Sequence, residues 1–429
     1  MPLKQALPLG IQHVLAMFLG NVSPLLIITG LLEMPVETKS MLIQNAMFIA
    51  GVATLVQLYP ICKRIGSGLP VVMGTSSGFI GTCKAIGANY GYGAILGASV
   101  LGAILEIIMG FFIKPLRKLF PPIVTSLVVI SIGLSLLPVG INYFGGGSGA
   151  ADFGDPKHLL VGTIVLVVIL ILKQFTRGFA SVASVLIGIA AGYVAAIALN
   201  MVDFTAVAQA AWFSLPAFMP IPMVFEVNAI IPMLIMYVAT AVETVGDTTA
   251  IAVGGLDREP TNQELSGSVV ADGAGSLLAA LFGVLPNTSF SQNVGLVAMT
   301  KVVNRFTIMT GAIFLLLSGL IPKLSAILSV MPQSVLGGAA VYMFAMIVVS
   351  GFQSLQREDL NGRGGIIVAL AIGIGVGVGN VPSVVDQLPE WVSMIFAQNG
   401  IIMTFVIATV LNLILPPDRK QEEFTKETK

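Results

Sequence analysis

The chain has 429 residues, 56% of them hydrophobic and only 10% charged, with a mean hydropathy of +0.95. That little charge cannot cover a soluble protein of this size, so the sequence is that of a polytopic membrane protein. Its 21 basic and 21 acidic side chains cancel, which excludes any electrostatic case for a nucleic-acid partner.

The first apolar run, 7–32, follows a single Lys4. It exceeds the ~20 residues needed to span a bilayer, so it is expected to be a span rather than a cleaved signal. Further spans are predicted at 41–61, 91–113, 120–139, 158–172, 178–200, 227–253, 264–284, 305–330, 333–351, 364–381 and 392–416. Two more apolar stretches are broken, 69–87 by Pro70, Gly74 and Gly78, and 285–303 by Pro286 and Gly295. Charge decides whether they cross, because Lys and Arg collect in short cytoplasmic loops. With all fourteen segments crossing and the N-terminus inside, 17 of the 21 basic residues lie inside, all but Lys39, Lys84, Lys157 and Lys323. Without a crossing at 69–87, Lys114, Arg117 and Lys118 would fall outside; the same holds for 285–303 with Lys301 and Arg305. The expectation is fourteen crossings with both termini cytoplasmic.

Between the spans, the glycine-rich stretch Gly140 to Lys157 is expected to be a flexible external loop. Asp203 to Glu226, with Trp212 and three prolines, reads as an interfacial segment, and 417–429 as a charged cytoplasmic tail. Cys62 and Cys83 form no metal or disulfide pattern and are expected to be buried free thiols. No G-x-x-x-x-G-K-[ST] loop is present, which disfavours an ATP-driven pump.

The halves repeat. Leu69-Pro70 opens one broken segment and Leu285-Pro286 the other, 216 residues later; Phe120-Pro121-x-x-Val124 recurs as Met331-Pro332-x-x-Val335, 211 residues later. Seven spans per half force the halves into opposite orientation. That is the inverted-repeat pattern of secondary transporters, whose paired interrupted segments point to the site.

Ionisable groups inside a span cost perhaps ~2.5–3.5 kcal/mol on insertion scales, so each needs a reason. Glu243 and Asp247 are four apart and stack on one helical face, where two carboxylates in low dielectric suit a proton-coupled carrier. Asp272 sits among small residues that let another helix approach, and His13 lies about two turns into the first span beside Gln12. Glu106, among bulky apolar residues, is expected to snorkel or pack, and His158 to sit at an interface. Ser289, Ser291, Gln292 and Asn293 gather hydroxyls and amides in the second broken segment; an amide such as Gln292 can meet two points of a planar heterocycle. The sequons Asn21-Val-Ser23 and Asn287-Thr-Ser289 fall inside spans and are chance matches.

Gln292-Asn293-Val294-Gly295 followed by Thr300 resembles the signature of the nucleobase–ascorbate transporter family, also called nucleobase:cation symporter-2. Gln12-His13, Glu243-Thr-Val-Gly-Asp247 and Ala271-Asp272-Gly273 resemble that family's other landmarks, in order, so the resemblance covers all but the tail. It implies an all-α, fourteen-span, 7+7 inverted-repeat fold with short strand-like pieces in the third and tenth segments. A core domain would comprise 1–113 and 227–330, and a gate domain 114–226 and 331–416. It further implies a proton-coupled nucleobase importer in the cell membrane, commonly a homodimer, with H⁺ as coupling ion and no other cofactor. By position, Glu243 and Gln292 would bind the base with Ser291 and Asn293 beside them. His13, Asp247, Asp272 and Glu243 would organise the site or couple it to protons. Gln at 292 and Asp at 247 resemble the members for xanthine and urate. Many members carry an aromatic residue in the first broken segment; here that position is Ser77, with Phe79 two residues on. Uracil or guanine is the alternative cargo. Inorganic-anion carriers of the same architecture would favour a basic residue near the half-helix ends, where only Lys84 is at hand. An intramembrane enzyme using the carboxylates is disfavoured by the repeat.

Overall fold

The computed structural model describes residues 3–113, 121–147, 150–356, 358–385, 387–388, 396 and 400–416. The tail 417–429, Lys114 to Phe120 and most of 386–399 lie outside the described residues, as do the side chains of Gln292 and Met299. Where it is described, each predicted segment coincides with a helix, a helix pair or a strand–helix unit, the first residues of 392–416 lying outside the described residues. The first half runs α1 (Leu3–Leu31), α2 (Val36–Leu58), β1 (Met73–Thr75), α3 (Ile80–Tyr90), α4 (Tyr92–Phe111), α5 (Pro122–Phe144), α6 (Pro156–Phe175), the short α7 (Phe179–Val182), α8 (Ser184–Ala198) and α9 (Thr205–Gln209). The second half runs α10 (Val227–Leu256), α11 (Asn262–Leu281), β2 (Asn287–Ser289), α12 (Ser291–Thr300), α13 (Arg305–Ser318), α14 (Pro322–Ser329), α15 (Gln333–Leu355), α16 (Arg363–Asn380) and α17 (Gly400–Ile414). Among the described residues eight helices are long and apolar enough to cross a membrane, or nine if the α13–α14 pair counts as one.

Backbone polar groups must find partners inside an apolar solvent, and the two broken segments do so by pairing with each other. β1 and β2 form one antiparallel pair, with Met73 opposite Ser289, Gly74 opposite Thr288 and Thr75 opposite Asn287. Neither strand could exist alone at this length; each is completed by the other half of the chain. Around them α1, α2, α4, α10, α11 and α13 pack together, while α5, α6, α15, α16 and α17 form a second set of mutual contacts. Glycines set the close crossings: a Cβ on Gly10 would come 2.4 Å from the Thr307 carbonyl oxygen, and one on Gly351 2.5 Å from Ile130. Helices approach so closely only where both surfaces are small.

Three expectations are corrected. The predicted span 305–330 is bent by 81° between α13 and α14, because Pro322 starts a new helix that cannot continue the ladder of the last. The predicted span 178–200 is two helices with a break at Ala183. Cys62 is free but exposed, in the turn after α2, whereas Cys83 is free and buried. The segment 203–226 is mostly extended and exposes Trp212, Phe213, Leu215 and Phe218. Asn45 pins it to α2, donating to the Ala217 carbonyl at 2.9 Å and accepting from the Ala217 N–H at 3.1 Å. The sequon asparagines 21 and 287 are both buried.

Candidate functional site

Both strands lead into helices whose first turns face the same place. Phe79 is the N-cap of α3 and Phe290 the N-cap of α12, and neither helix has a side-chain cap. Backbone carbonyls take part of each first turn, Ser77 accepting from the Ile80 N–H at 3.2 Å and Phe290 from the Asn293 N–H at 3.0 Å, and the positive end of each helix dipole faces the space before it. That space, a small cavity of about 20 Å³, is lined by Thr75, Ser76, Ser77 and Gly78 from the first broken segment and by Thr288, Ser289, Phe290 and Ser291 from the second. Glu243 of α10 closes one side, and Ile132 of α5 with Ile347 of α15 the other. Among the described residues the lining is hydroxyls, one carboxylate and apolar walls, with no basic side chain.

The carboxylates are wired to the second broken segment. Ser289 Oγ donates to Asp247 Oδ2 at 2.6 Å, and Ser291 Oγ lies 2.9 Å from Asp247 Oδ1 and 3.4 Å from Glu243 Oε1. Asp272 of α11 accepts from Thr244 and, at 3.3 Å, from Thr288 Oγ1. The helical spacing explains the division: Thr244 turns to α11, while Glu243 and Asp247, one turn apart, share the face towards Ser291. Asp247 thus accepts from two hydroxyls, while Glu243 Oε2 is buried at the cavity with no hydrogen-bond partner among the described residues. A free acceptor at a cavity wall suits a ligand N–H.

His13 and Asn293 are brought together on the far side of α12. Asn293 Nδ2 donates to the His13 carbonyl at 2.9 Å and lies 3.3 Å from its Nδ1. Neither lines the cavity; they tie α12 to α1. Asn21, also on α1, accepts from the Thr75 N–H at 2.7 Å and so fixes β1 to the same helix.

Of the residues expected from the sequence, Ser77, Ser291 and Glu243 line the cavity, and Asp247 and Asp272 stand behind it. Gln292 is the second residue of α12, but its side chain lies outside the described residues. Phe79 faces the core, its ring 4.7 Å from that of Tyr237. The aromatic ring at the cavity is Phe290, which the sequence reading passed over. The internal repeat held the signal, since Phe290 precedes α12 as Phe79 precedes α3. Lys84 is exposed on α3 and does not line the cavity. Ile132 and Ile347 were also missed, and nothing in their local sequence marks them.

A cavity between two broken segments, with the buried carboxylate of Glu243 in its wall, is the arrangement found in secondary transporters. A family model described as a permease family (Xan_ur_permease) matches residues 4–384, and the chain belongs to that family, the xanthine/uracil permeases. It is a permease and not an enzyme. The xanthine permease of Bacillus subtilis (strain 168) is 37% identical over 433 residues, covering 99% of this chain and 96% of that one. The uric acid permease PucJ of the same organism is 36% identical over 429 residues, covering 98% and 94%. In fold, the chain is similar to the transmembrane domain of a cyanobacterium bicarbonate transporter, BicA, with a TM-score of 0.61 at 15% identity, covering 96% of this chain and 98% of that one.

Proposed function

We propose that this permease imports oxidised purine nucleobases, xanthine or urate, together with H⁺ across the cytoplasmic membrane. The observation that carries the reading is Glu243 Oε2, a buried carboxylate oxygen with no partner among the described residues, at the same cavity as the start of α12 and the Phe290 ring. Oxidised purines present ring N–H donors on one edge and carbonyl acceptors on the other. Glu243 accepts from the N–H edge, Gln292 and the first-turn amides read the carbonyl edge, and Phe290 covers a ring face. The relatives named for xanthine and uric acid support this cargo over uracil.

Coupling follows from the cluster. Glu243, Asp247 and Asp272 crowd into one water-poor region, where like charges repel strongly. A proton taken from one side of the membrane lets the cluster accept the substrate, and its departure to the other side lets the site reset. Residues 1–113 and 227–330 act as the core that carries the site, and 114–226 with 331–416 as the gate that supplies Ile132 and Ile347. Fourteen crossings leave both termini cytoplasmic, and two copies form the working unit.

Uptake of labelled xanthine, urate and uracil, with and without a protonophore, tests the reading. Xanthine or urate should be taken up in preference, and the protonophore should abolish accumulation. Preferred uracil uptake would overturn the cargo, and protonophore-insensitive accumulation would overturn the coupling.

A further inference from the structure

Glu106 lies in the C-terminal half of α4 with 0% of its surface exposed, and neither carboxyl oxygen has a hydrogen-bond partner among the described residues. The sequence reading expected it to snorkel or pack; it is buried, and its carboxyl is turned inward. Gly102, Glu106 and Gly110 recur every fourth residue and share one helical face. The flanking glycines bring the neighbours in: a Cβ on Gly102 would lie 2.1 Å from the Tyr237 ring of α10, and one on Gly110 2.6 Å from Val270 of α11. From α11, Gly273 packs on the Ala103 carbonyl, which sets Asp272 beside this seam. Glu106 is therefore held at a three-helix junction and has no route to solvent.

Its surroundings are acidic or neutral. Asp272 of α11 and Glu243 of α10 are within electrostatic reach of it, and so is Tyr237 of α10; Tyr237 in turn is within reach of buried Cys83 of α3. Glu106 makes no ion pair among the described residues. A desolvated carboxylate with no donor and two acidic neighbours is among the costliest arrangements a protein interior can hold. A carboxylic acid at the same place costs far less.

We propose that Glu106 is a further proton-binding residue of the transport cycle, the innermost member of a carboxyl series that runs from Glu243 at the cavity through Asp272. The proposal rests on the proton-coupled reading above. Glu106 is the O–H acid while a neighbour is ionised. When the cavity is reorganised, a proton leaves one carboxyl oxygen and binds a lone pair of another, so charge within the cluster is redistributed and not increased. No substrate contact is involved, so Glu106 acts on the cycle through Asp272 and Glu243.

The test uses the full-length protein in liposomes, with Glu106→Gln and Glu106→Leu. Infrared difference spectra through a pH titration read the C=O stretch of buried carboxylic acids, and initial rates of xanthine uptake give the pH profile. Both variants should lose one carboxylic component, and the uptake profile should move by about one pH unit while the Kd for xanthine stays within about twofold. Spectra and profile that coincide with those of the unaltered protein would overturn the role of Glu106. If neither variant folds, the unaltered protein decides: no protonated buried carboxyl at neutral pH overturns the proposal. Protonophore-insensitive uptake by the unaltered protein would instead overturn coupling itself, and with it any part for Glu106, so the two failures are distinguishable.

Discussion

At the residue scale, the site divides carboxylates by what already satisfies them. Asp247 accepts from two serine hydroxyls and so holds Ser289 and Ser291 in place. Glu243 has one long contact and an open oxygen, so it is the residue with something left to offer. Glu243→Gln replaces that acceptor by an amide whose N–H₂ cannot accept. The loss should be about 1.5–3 kcal/mol, roughly ten- to hundredfold in the Kd for xanthine, with the melting temperature little changed. Isothermal titration or scintillation proximity binding on purified protein checks this. At the other end of the residue range is Asp152, on the loop before α6, 2.8 Å from His158 Nε2. The hydrogen bond from His158 holds its carboxyl below the ordinary carboxylate range. A depressed value means the contact is present above the ordinary carboxylate value of ~3.9 and lost as pH falls through the lowered one. At neutral pH Asp152→Asn should therefore speed hydrogen exchange in the 145–155 loop only slightly, since a pair whose carboxylate is open to water contributes little.

Elements depend on fit across the two halves. Gly74 has no room for a side chain, since a Cβ would sit 2.7 Å from Met17 Cε and from Phe290 Cε2, and 2.8 Å from Asn21 Oδ1. The methionine end can yield, but Asn21 is bonded to Thr75 and Phe290 walls the cavity. Gly74→Ala should cost about 1–3 kcal/mol and Gly74→Val more, seen as a lower melting temperature and as reduced xanthine uptake. A substitution far from the site separates stability from binding. Thr261 caps α11, with reciprocal bonds between it and Glu264, and Arg258 grips the same glutamate with both terminal nitrogens. Thr261→Ala should cost about 1 kcal/mol in a denaturant or thermal measurement and leave the Kd for xanthine unchanged.

Over the whole molecule, the arrangement is inside out relative to a soluble protein. Buried His, Asn, Asp and Glu surround the strand pair, while the outward faces of α6, α8 and α16 carry Leu170, Val194 and Ile374 to the exterior. An exterior as apolar as the interior needs a bilayer around it, and its orientation can be read with one thiol. Cys62 is exposed beside Lys63 and Arg64, on the side that the charge count places in the cytoplasm, and Cys83 is buried. A membrane-impermeant maleimide should label Cys62 in inside-out vesicles and leave it unlabelled in intact cells; labelling only in cells would reverse the proposed topology.

How much was legible beforehand follows from the range of each interaction. The segments and the two breaks are written in local composition, since hydropathy, proline and glycine act where they stand, and the resemblance of Gln292-Asn293-Val294-Gly295 pointed to the permease family. The pairing of Glu243 and Asp247 was legible too, because helical spacing is a local rule. The break at Gly319 to Ile321 was not, because an apolar run reads alike whether the helix continues or turns by 81°. Nor was the choice between Phe79 and Phe290. Each stands before a half-helix, and only the packing of Phe79 on Tyr237 leaves Phe290 as the ring at the cavity. Glu106 is the sharpest case. Sequence alone showed a carboxyl among apolar residues, which fits a side chain reaching for water as well as one turned inward. The glycines at 102 and 110 decide it by drawing α10 and α11 against α4. By itself the sequence determined a membrane protein of broken and unbroken spans with acidic groups inside it. Tertiary structure alone decided which groups face the cavity, which are satisfied and which are left free, because those depend on contacts between residues far apart in the chain.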